Sequence, residues 1–428
     1  MLKNKKIHFI GCGGAGMGPL ASIMVELGCE VSGSDLNENK ITATLQNSGV
    51  KFFCGHASGN LPETASRVVY SSAVAESNPE LVAARKRGLN VLRRGEMLAE
   101  LASSYRRVVA ISGSHGKTTI TAMLAHIMRN CVEGCGFMIG GKLNEGSNFA
   151  AGNGDIFVTE ADESDGTHTL IKPWLGVISN IEDDHCWSVG GREKLFDNFR
   201  CFGMQSNRLI YLESPENRQI FAGHPNTKII EYDPKSCLDP RFAGFLGLDA
   251  TLAVTAAAEL GVSESAAWAA LDSFPGVARR MTLRYESGNS LLIEDYAHHP
   301  TELKASLDFL RVRWPEHHLR VFFQPHRYAR LERYADNFAE QLRRADSAFI
   351  APVFAAWIES GVLNHETLAT AIGNGAEPTN GTWKEQAGRL LQDIPLGKPL
   401  LLAVIGAGDL DQIIPYAIEI MKHNAKLN

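Results

Sequence analysis

The sequence predicts an α/β protein of three domains built on parallel sheets. Apolar runs of strand length alternate with amphipathic stretches of helix length along the whole chain. The chain has 428 residues, which is more than one core usually holds, at about 150 residues per domain. The alternation starts anew three times. We therefore expect an N-terminal Rossmann-like domain at 1–106, a central domain at 107–285 and a C-terminal Rossmann-like domain at 286–428.

Each domain is predicted from its own strands. The N-terminal domain has strand candidates at 6–10, 30–35 and 68–72, the central domain at 108–111, 156–159 and 175–179, and the C-terminal domain at 291–295, 320–324, 348–351 and 400–405. Helices are expected at 250–260 and 264–274. In open parallel sheets, ligands bind beyond the carboxyl ends of the strands. The residues that follow each strand are therefore the candidate site residues.

Composition and charge exclude several classes of function. Lys and Arg total 42 against 48 Asp and Glu, which gives a net charge of -6 and argues against a surface for nucleic acid or anionic membranes. The eight cysteines have no paired spacing that would indicate disulfides or zinc. No apolar run approaches the roughly 18 residues of a membrane span. We expect a soluble, cytoplasmic protein with reduced thiols.

A glycine-rich turn follows the first strand. It reads Gly11-Cys12-Gly13-Gly14-Ala15-Gly16-Met17-Gly18, and the second strand ends at Asp35. This pattern fits the dinucleotide fingerprint, in which glycines let a diphosphate approach the backbone and an acid about 20 residues on binds a ribose. NAD and a UDP-sugar both fit it, and a purely structural turn is the alternative.

The strongest motif follows the first strand of the central domain. It reads Gly113-Ser114-His115-Gly116-Lys117-Thr118-Thr119 and leads into a helix. Loop N–H groups suit an anion, Lys117 offers charge to the β and γ phosphates, and a threonine hydroxyl offers a ligand to Mg²⁺. The central domain is therefore expected to be P-loop ATPase-like.

Acidic residues follow the next two strands of the central domain. Glu160 begins the run EADESD, and the run NIEDDH ends in His185. Carboxylate oxygens at the same sheet edge as the phosphate loop suit Mg²⁺. We favour Glu160 as a metal ligand and His185 as a metal or phosphate contact, with a solvated acidic loop as the alternative.

The C-terminal domain repeats this arrangement with different side chains. Its first strand leads into Asp295-Tyr296-Ala297-His298-His299-Pro300, and its second into Gln324-Pro325-His326-Arg327-Tyr328-Ala329-Arg330. Arginines suit carboxylates and phosphates, so these residues look like a site for a ribose, a carboxylate and a developing phosphate charge. Arg280, in the linker before this domain, is either an exposed charge or a hinge residue that faces the phosphates.

Taken together, the motifs resemble the Mur ligase family, most closely the members that join L-alanine to UDP-N-acetylmuramate. The resemblance covers nearly the whole chain, in the order GCGGAGMG, GSD, GSHGKTT, EADESD, NIEDDH, FPGVARR, DYAHHPTEL, FQPHRYAR and GAGD. It implies ATP-dependent amide formation through an acyl phosphate in peptidoglycan precursor synthesis. The implied substrates are UDP-N-acetylmuramate, L-alanine and ATP with Mg²⁺, and the implied state is a monomer or homodimer.

The resemblance also implies a role for each site residue. The UDP-sugar would bind at Gly11, Gly13, Gly14, Ala15, Gly16, Met17, Asp35 and Ser71. ATP would bind at Gly113, Ser114, His115, Gly116, Lys117, Thr118, Thr119 and Asp295, and metal at Thr118, Glu160 and His185. The catalytic set would be Lys117, His185, Arg280, His298, His326, Arg327 and Arg330, with Tyr296 beside the amino acid.

The chain departs from the family pattern between Tyr211 and Phe274, where it is shorter and lacks the His-Asn-x-x-Asn motif that holds adenine. Leu246 and Asp249 stand at the two asparagine positions. Three alternatives therefore stay open: a ligase for a recycled murein tripeptide, a non-catalytic nucleotide-binding homologue, and an NAD-dependent oxidoreductase that uses the first domain alone. The last leaves the Gly113–Thr119 loop unexplained.

Overall fold

The structure is a computed structural model. It describes residues 3–183, 186–232, 240–242, 244–288, 290–356, 360–393 and 398–427. Within these ranges no helix is both long and apolar enough to cross a membrane.

The first sheet has five parallel strands. They are β1 (Lys6–Ile10), β2 (Glu30–Asp35), β3 (Lys51–Cys54), β4 (Arg67–Tyr70) and β5 (Asn90–Arg93), and the helices are α1 (Met17–Glu26), α2 (Lys40–Asn47), α3 (Pro79–Lys86) and α4 (Arg94–Ala102). The strand order is β3-β2-β1-β4-β5, so β1 lies at the centre. The register pairs Ile10 with Ser34 and with Tyr70, which brings the carboxyl ends of β1, β2 and β4 to one edge.

The second sheet has seven strands. They are β6 (Arg107–Ser112), β7 (Gly136–Met138), β8 (Phe149–Ala150), β9 (Ile156–Glu160), β10 (Leu175–Ile178), β11 (Arg208–Leu212) and β12 (Thr227–Ile230). The helices are α5 (Lys117–Cys131), α6 (Cys186–Val189), α7 (Arg192–Gln205), α8 (Pro215–Ile220), α9 (Phe245–Glu259) and α10 (Glu264–Leu271). The order is β12-β11-β10-β6-β9-β7-β8. Because β6 lies between β10 and β9, the loop after β6 is flanked by the ends of both.

The third sheet has six strands. They are β13 (Thr282–Ser287), β14 (Ser290–Asp295), β15 (His318–Phe323), β16 (Ser347–Ile350), β17 (Glu377–Pro378) and β18 (Leu400–Ile405). The helices are α11 (Pro300–Arg313), α12 (Tyr328–Leu342), α13 (His365–Ile372), α14 (Trp383–Leu390) and α15 (Ile414–Leu427). The order is β13-β14-β18-β15-β16-β17. The ends of β14 and β15 thus flank β18.

The buried cores follow the division of the chain into two compact units. The first unit is Met1–Asp233 with Leu248–Val277, and the second is Pro234–Gly247 with Ala278–Asn428. Within the first unit, one apolar cluster includes both Phe9 of the first sheet and Phe157 of the second. Within the second unit, neighbouring residues of β15 enter opposite layers, since Phe322 and Phe323 belong to different clusters.

Three sheets in chain order fit the predicted three-domain α/β class, while the domain boundaries 1–106, 107–285 and 286–428 stay a prediction. The expectation of parallel strands throughout was wrong in two places. The pairs β13–β14 and β7–β8 are antiparallel, because a short connection joins each pair. The first of the two expected helices begins earlier, at Phe245, and the second ends earlier, at Leu271.

Candidate functional site

The glycine-rich turn lies where β1 passes into α1. Gly11 has a φ of 79°, which favours glycine, and Gly16 is the N-cap of α1. A Cβ at Gly13 would lie 2.7 Å from Asn39 Nδ2 and 2.9 Å from Asp35 Oδ2, so no side chain fits there. Gly14 and Ala15 lie between these glycines and Met17 begins the helix. The turn thus presents backbone at a helix N-terminus, where anions are stabilised.

Asp35 contacts this turn directly. Its Oδ2 accepts a hydrogen bond from the Gly13 N–H at 2.8 Å, and Asn39 Nδ2 donates to the Gly13 carbonyl at 3.2 Å. Ser71, just after β4, lies beside Gly11, because a Cβ on Gly11 would be 3.1 Å from the Ser71 Cβ. The structure therefore brings the predicted UDP-sugar residues together, with Asp35 holding the turn. Its contact with a ribose stays a prediction.

The phosphate loop lies between β6 and α5. Gly113 and Gly116 have φ values of 136° and 84°, and a Cβ on Gly113 would lie 2.2 Å from Ser179 Oγ. The Ser114 and His115 N–H groups donate to the backbone and side-chain oxygens of Asn180, both at 2.9 Å. Those two N–H groups are thus directed at Asn180. Binding of a phosphate is left to the N–H groups of the first turn of α5.

Lys117, the first residue of α5, forms a buried ion pair. Its Nζ lies 2.7 Å from Oε2 of Glu163 and donates to the Gly113 carbonyl at 2.7 Å. Burial alone lowers the pKa of Lys117, but attraction by Glu163 and Asp162 outweighs burial and raises it. Burial raises the pKa of Glu163 to about 7. The lysine is therefore held charged at the loop that would receive the phosphates.

Thr118 and Glu160 form the candidate metal site. Glu160 ends β9, the strand next to β6, and its Oε2 accepts a hydrogen bond from Thr118 Oγ1 at 3.1 Å. Its Oε1 accepts one from the Gly140 N–H at 2.6 Å. Burial raises the pKa of Glu160. A hydroxyl and a carboxylate in contact at a phosphate loop are a donor set that fits Mg²⁺.

The two residues at the adenine-motif positions have different surroundings. Asp249 is buried, and a Cβ on Gly116 would lie 2.7 Å from its Oδ1, so the carboxylate backs on to the phosphate loop. Leu246 packs against the apolar core of the second unit. Neither surrounding resembles a pair of amide groups that would read a base.

Asp295 and Arg280 belong to the second unit. Asp295 is 4% exposed, and its two carboxylate oxygens accept hydrogen bonds from the Met281 N–H at 3.0 Å and Ser306 Oγ at 2.6 Å. Arg280 Nη1 lies 3.4 Å from Glu302 Oε1 and 5.1 Å from the Tyr296 ring. Asp295 therefore shapes the strand end in this structure, and its predicted ribose contact and the γ-phosphate contact of Arg280 stay predictions.

Two histidines meet at the ends of β14 and β15. The rings of His298 and His326 lie 5.7 Å apart, and His326 stacks on Phe354 at 5.4 Å. Burial lowers the pKa of His298 to about 4 and that of His326 to about 3. Both imidazoles are therefore neutral near pH 7. His298 Nδ1 lies 3.0 Å from the Tyr296 carbonyl, which assigns its proton to Nδ1 and leaves Nε2 as an acceptor.

The two arginines of the C-terminal domain lie beside these rings. Arg330 is buried, and its Nη1 lies 3.3 Å from His326 Nδ1. Arg327 is the N-cap of α12 with a φ of 68°, a conformation that is uncommon for a side chain of this size. The predicted amino-acid residues Tyr296, His298, His326, Arg327 and Arg330 thus lie on the two loops that follow β14 and β15.

Sequence reasoning missed several residues that shape these sites. Asn39, Asn180 and Glu163 hold the glycine turn, the phosphate loop and Lys117. Asn180 and Glu163 lie in runs that were noticed, but nothing in the sequence assigns them a partner. His185, predicted as a metal ligand, lies outside the described residues.

Comparisons with known proteins agree with these motifs. Family models match residues 6–106 (Mur ligase family, catalytic domain), 111–235 (Mur ligase middle domain) and 279–423 (Mur ligase, glutamate ligase domain). The UDP-N-acetylmuramate--L-alanine ligase of Aquifex aeolicus is 36% identical over 82% of this chain and 84% of its own. The bifunctional enzyme MurC/Ddl of Chlamydia trachomatis is 34% identical over 87% of this chain, which spans 49% of that longer protein.

A solved structure shares the fold. The UDP-N-acetylmuramate-alanine ligase MurC of Thermotoga maritima superimposes with a TM-score of 0.80 at 24% identity, covering 98% of this chain and 99% of its own. This likeness confirms the predicted three-domain α/β class. Together with the three family models and the 36% identity over most of both chains, the comparisons show that this chain belongs to the Mur ligase family.

Proposed function

We propose that the protein joins L-alanine to the lactyl carboxylate of UDP-N-acetylmuramate with hydrolysis of ATP to ADP and phosphate. The phosphate loop carries this proposal, because it holds Lys117 charged beside the Thr118–Glu160 pair at one sheet edge. A relative that covers most of the chain is named for the same reaction. Such a ligase acts in peptidoglycan precursor synthesis, and we place it in the cytoplasm as a monomer or homodimer.

Thr118 and Glu160 would hold Mg²⁺, with His185 as a further ligand. The fit rests on the contact between the Thr118 hydroxyl and the Glu160 carboxylate at 3.1 Å. When bound, the metal neutralises charge on the phosphate oxygens. The buried Glu160 carboxylate would in turn be neutralised by the cation.

Lys117 acts in the first step, which makes the carboxylate a better acyl donor. A lactyl carboxylate oxygen attacks the γ-phosphorus of ATP, the bond from that phosphorus to the β–γ bridging oxygen breaks, and ADP leaves. The product is an acyl phosphate. The charge of Lys117 stabilises the oxygens of the transferred group, which carry most of the charge in such transfers. Arg280 is proposed to face the same group.

His298 is the proposed base of the second step. The alanine nitrogen must lose a proton before it attacks the acyl carbon, and His298 Nε2 is a lone-pair acceptor because Nδ1 faces the Tyr296 carbonyl at 3.0 Å. His326 Nδ1 faces Arg330 at 3.3 Å, so its Nε2 carries a proton and is a donor. The amide forms as the carbon–oxygen bond to phosphate breaks. Arg327 and Arg330 would bind the alanine carboxylate and the leaving phosphate.

The test is ADP formation with purified protein, omitting each substrate in turn. The proposal predicts release that needs UDP-N-acetylmuramate, L-alanine and Mg²⁺ together. ATP hydrolysis at the same rate without the sugar or amine would contradict ligase activity. Faster turnover with the L-Ala-D-Glu-diaminopimelate tripeptide would instead assign the chain to tripeptide recycling. Binding of UDP-N-acetylmuramate and ATP without turnover would indicate a non-catalytic homologue.

A further inference from the structure

Arg94 lies between the glycine-rich turn and the acidic run of the central domain. It is the first residue of α4. A Cβ on Gly16 would lie 3.1 Å from the Arg94 Cδ and 3.3 Å from its Nη1, so the side chain lies against the N-cap of α1. Its Nη2 donates to Asp165 Oδ2 at 2.5 Å. All of these contacts are within the first compact unit.

This placement is electrostatically costly for a cation. The guanidinium stands beside the N-terminus of α1, and its own residue begins α4. Helix N-termini carry partial positive charge, so a cation there is disfavoured unless an anion neutralises it. Asp165 supplies that anion in this structure, as an ion pair in which the side chains are 21% and 28% exposed. A ligand therefore reaches both groups from solvent.

We propose that Arg94 is a positioning residue of the nucleotide-sugar site, binding the diphosphate of the substrate in exchange for Asp165. The inference rests on the proposed function, which puts the UDP-sugar diphosphate on the Gly11–Gly18 turn. A diphosphate carries more negative charge than one carboxylate and offers oxygens to both arms of the guanidinium. It also satisfies the N–H groups of α1, which Asp165 does not contact in the described structure.

The chain offers a matched pair of variants. Arg94→Ala removes the proposed phosphate contact, and Asp165→Asn removes its competitor. Asn keeps the oxygen that accepts the Thr167 N–H at 3.0 Å, so the local turn is retained. If the arginine serves the diphosphate, the two changes act in opposite directions on UDP affinity. If the pair is only a structural tie between domains, they act alike.

The experiment is calorimetric titration of the full-length protein with UDP and, by competition, with uridine. We expect Arg94→Ala to weaken UDP binding about 10- to 100-fold and leave uridine binding within about twofold, since charge-assisted contacts to phosphate are of this strength. Arg94→Lys should fall between wild type and Ala. Asp165→Asn should bind UDP as tightly as wild type or more tightly.

Two results would overturn the proposal. One is an equal loss of UDP and uridine affinity in Arg94→Ala, which would indicate a damaged domain. The other is a loss of UDP affinity in Asp165→Asn as large as that in Arg94→Ala, which would indicate a structural tie. Wild-type protein that binds no UDP would contradict the proposed function itself, and that result is distinct from both. Thermal unfolding of each variant shows whether it is folded.

Discussion

Replacing Lys117 with Met separates the chemistry of the phosphate loop from its stability. In the wild type, Nζ of Lys117 lies 2.7 Å from Glu163, which is 1% exposed. The variant leaves that carboxyl buried without the ammonium. Breaking a buried ion pair from one side typically costs about 3–5 kcal/mol when the remaining group stays charged. The carboxyl escapes part of this cost by keeping its proton.

The pH dependence follows from the pKa of Glu163. Burial raises this pKa to about 7 in the wild type, above its value in the unfolded chain, so the stability tied to its protonation is present at low pH and lost as pH rises through about 7. Without Lys117 the folded pKa rises further, and the loss continues above pH 7. At about 1.4 kcal/mol per pH unit, the variant should lose roughly 3 kcal/mol relative to the wild type between pH 7 and pH 9.

Calorimetric unfolding at pH 7 and pH 9 measures this difference. The double variant Lys117→Met/Glu163→Gln has no carboxyl to titrate, so its stability relative to the wild type should not fall between the two pH values as that of the single variant does. Both variants should lose ligase turnover by orders of magnitude, because the phosphate charge is no longer stabilised, and both should bind the UDP-sugar normally. A destabilisation equal at pH 7 and pH 9, or turnover restored by Glu163→Gln, would refute the reasoning.

Three further predictions concern other groups. Asp249→Asn should lower the KM for ATP severalfold, because a carboxylate behind Gly116 repels the triphosphate, and the wild type should prefer ATP over GTP by less than a thousandfold in kcat/KM; an unchanged KM would contradict the first statement. His168→Phe should raise the melting temperature, increasingly as pH falls from about 6.5 towards 4. The imidazole is fully buried with a pKa lowered by burial to about 4, and neither ring nitrogen has a hydrogen-bond partner among the described residues. A gain equal at pH 5 and pH 8, or one matched by exposed His423→Gln, would contradict this account. His298→Asn should lower amide formation about 100- to 10,000-fold while acyl phosphate, trapped by borohydride reduction, still accumulates; loss of the trapped product would show that His298 acts earlier.

Motifs with local meaning were predictable from the sequence. The glycine turn and the Gly113–Thr119 loop were expected at strand ends, and both lie there, because glycine spacing and strand periodicity are properties of a few neighbouring residues. The fold class followed from the same alternation.

Contacts between distant residues were not predictable. The bond from Gly13 to Asp35 joins residues 22 apart, and that from His115 to Asn180 joins residues 65 apart. Which oxygen meets which N–H depends on strand register and helix packing. The β13–β14 pair was missed for a related reason, since β13 alternates buried and exposed residues on a sheet edge and lacks the long apolar run of a buried parallel strand.

The central claim is that ATP activates the lactyl carboxylate as an acyl phosphate for attack by L-alanine. The most direct measurement uses UDP-N-acetylmuramate labelled with ¹⁸O in that carboxylate and follows the inorganic phosphate by mass spectrometry. The account predicts one ¹⁸O atom in each phosphate released, in step with ADP and UDP-N-acetylmuramoyl-L-alanine. Phosphate released without the label, or label transfer that does not depend on L-alanine for phosphate release, would contradict it.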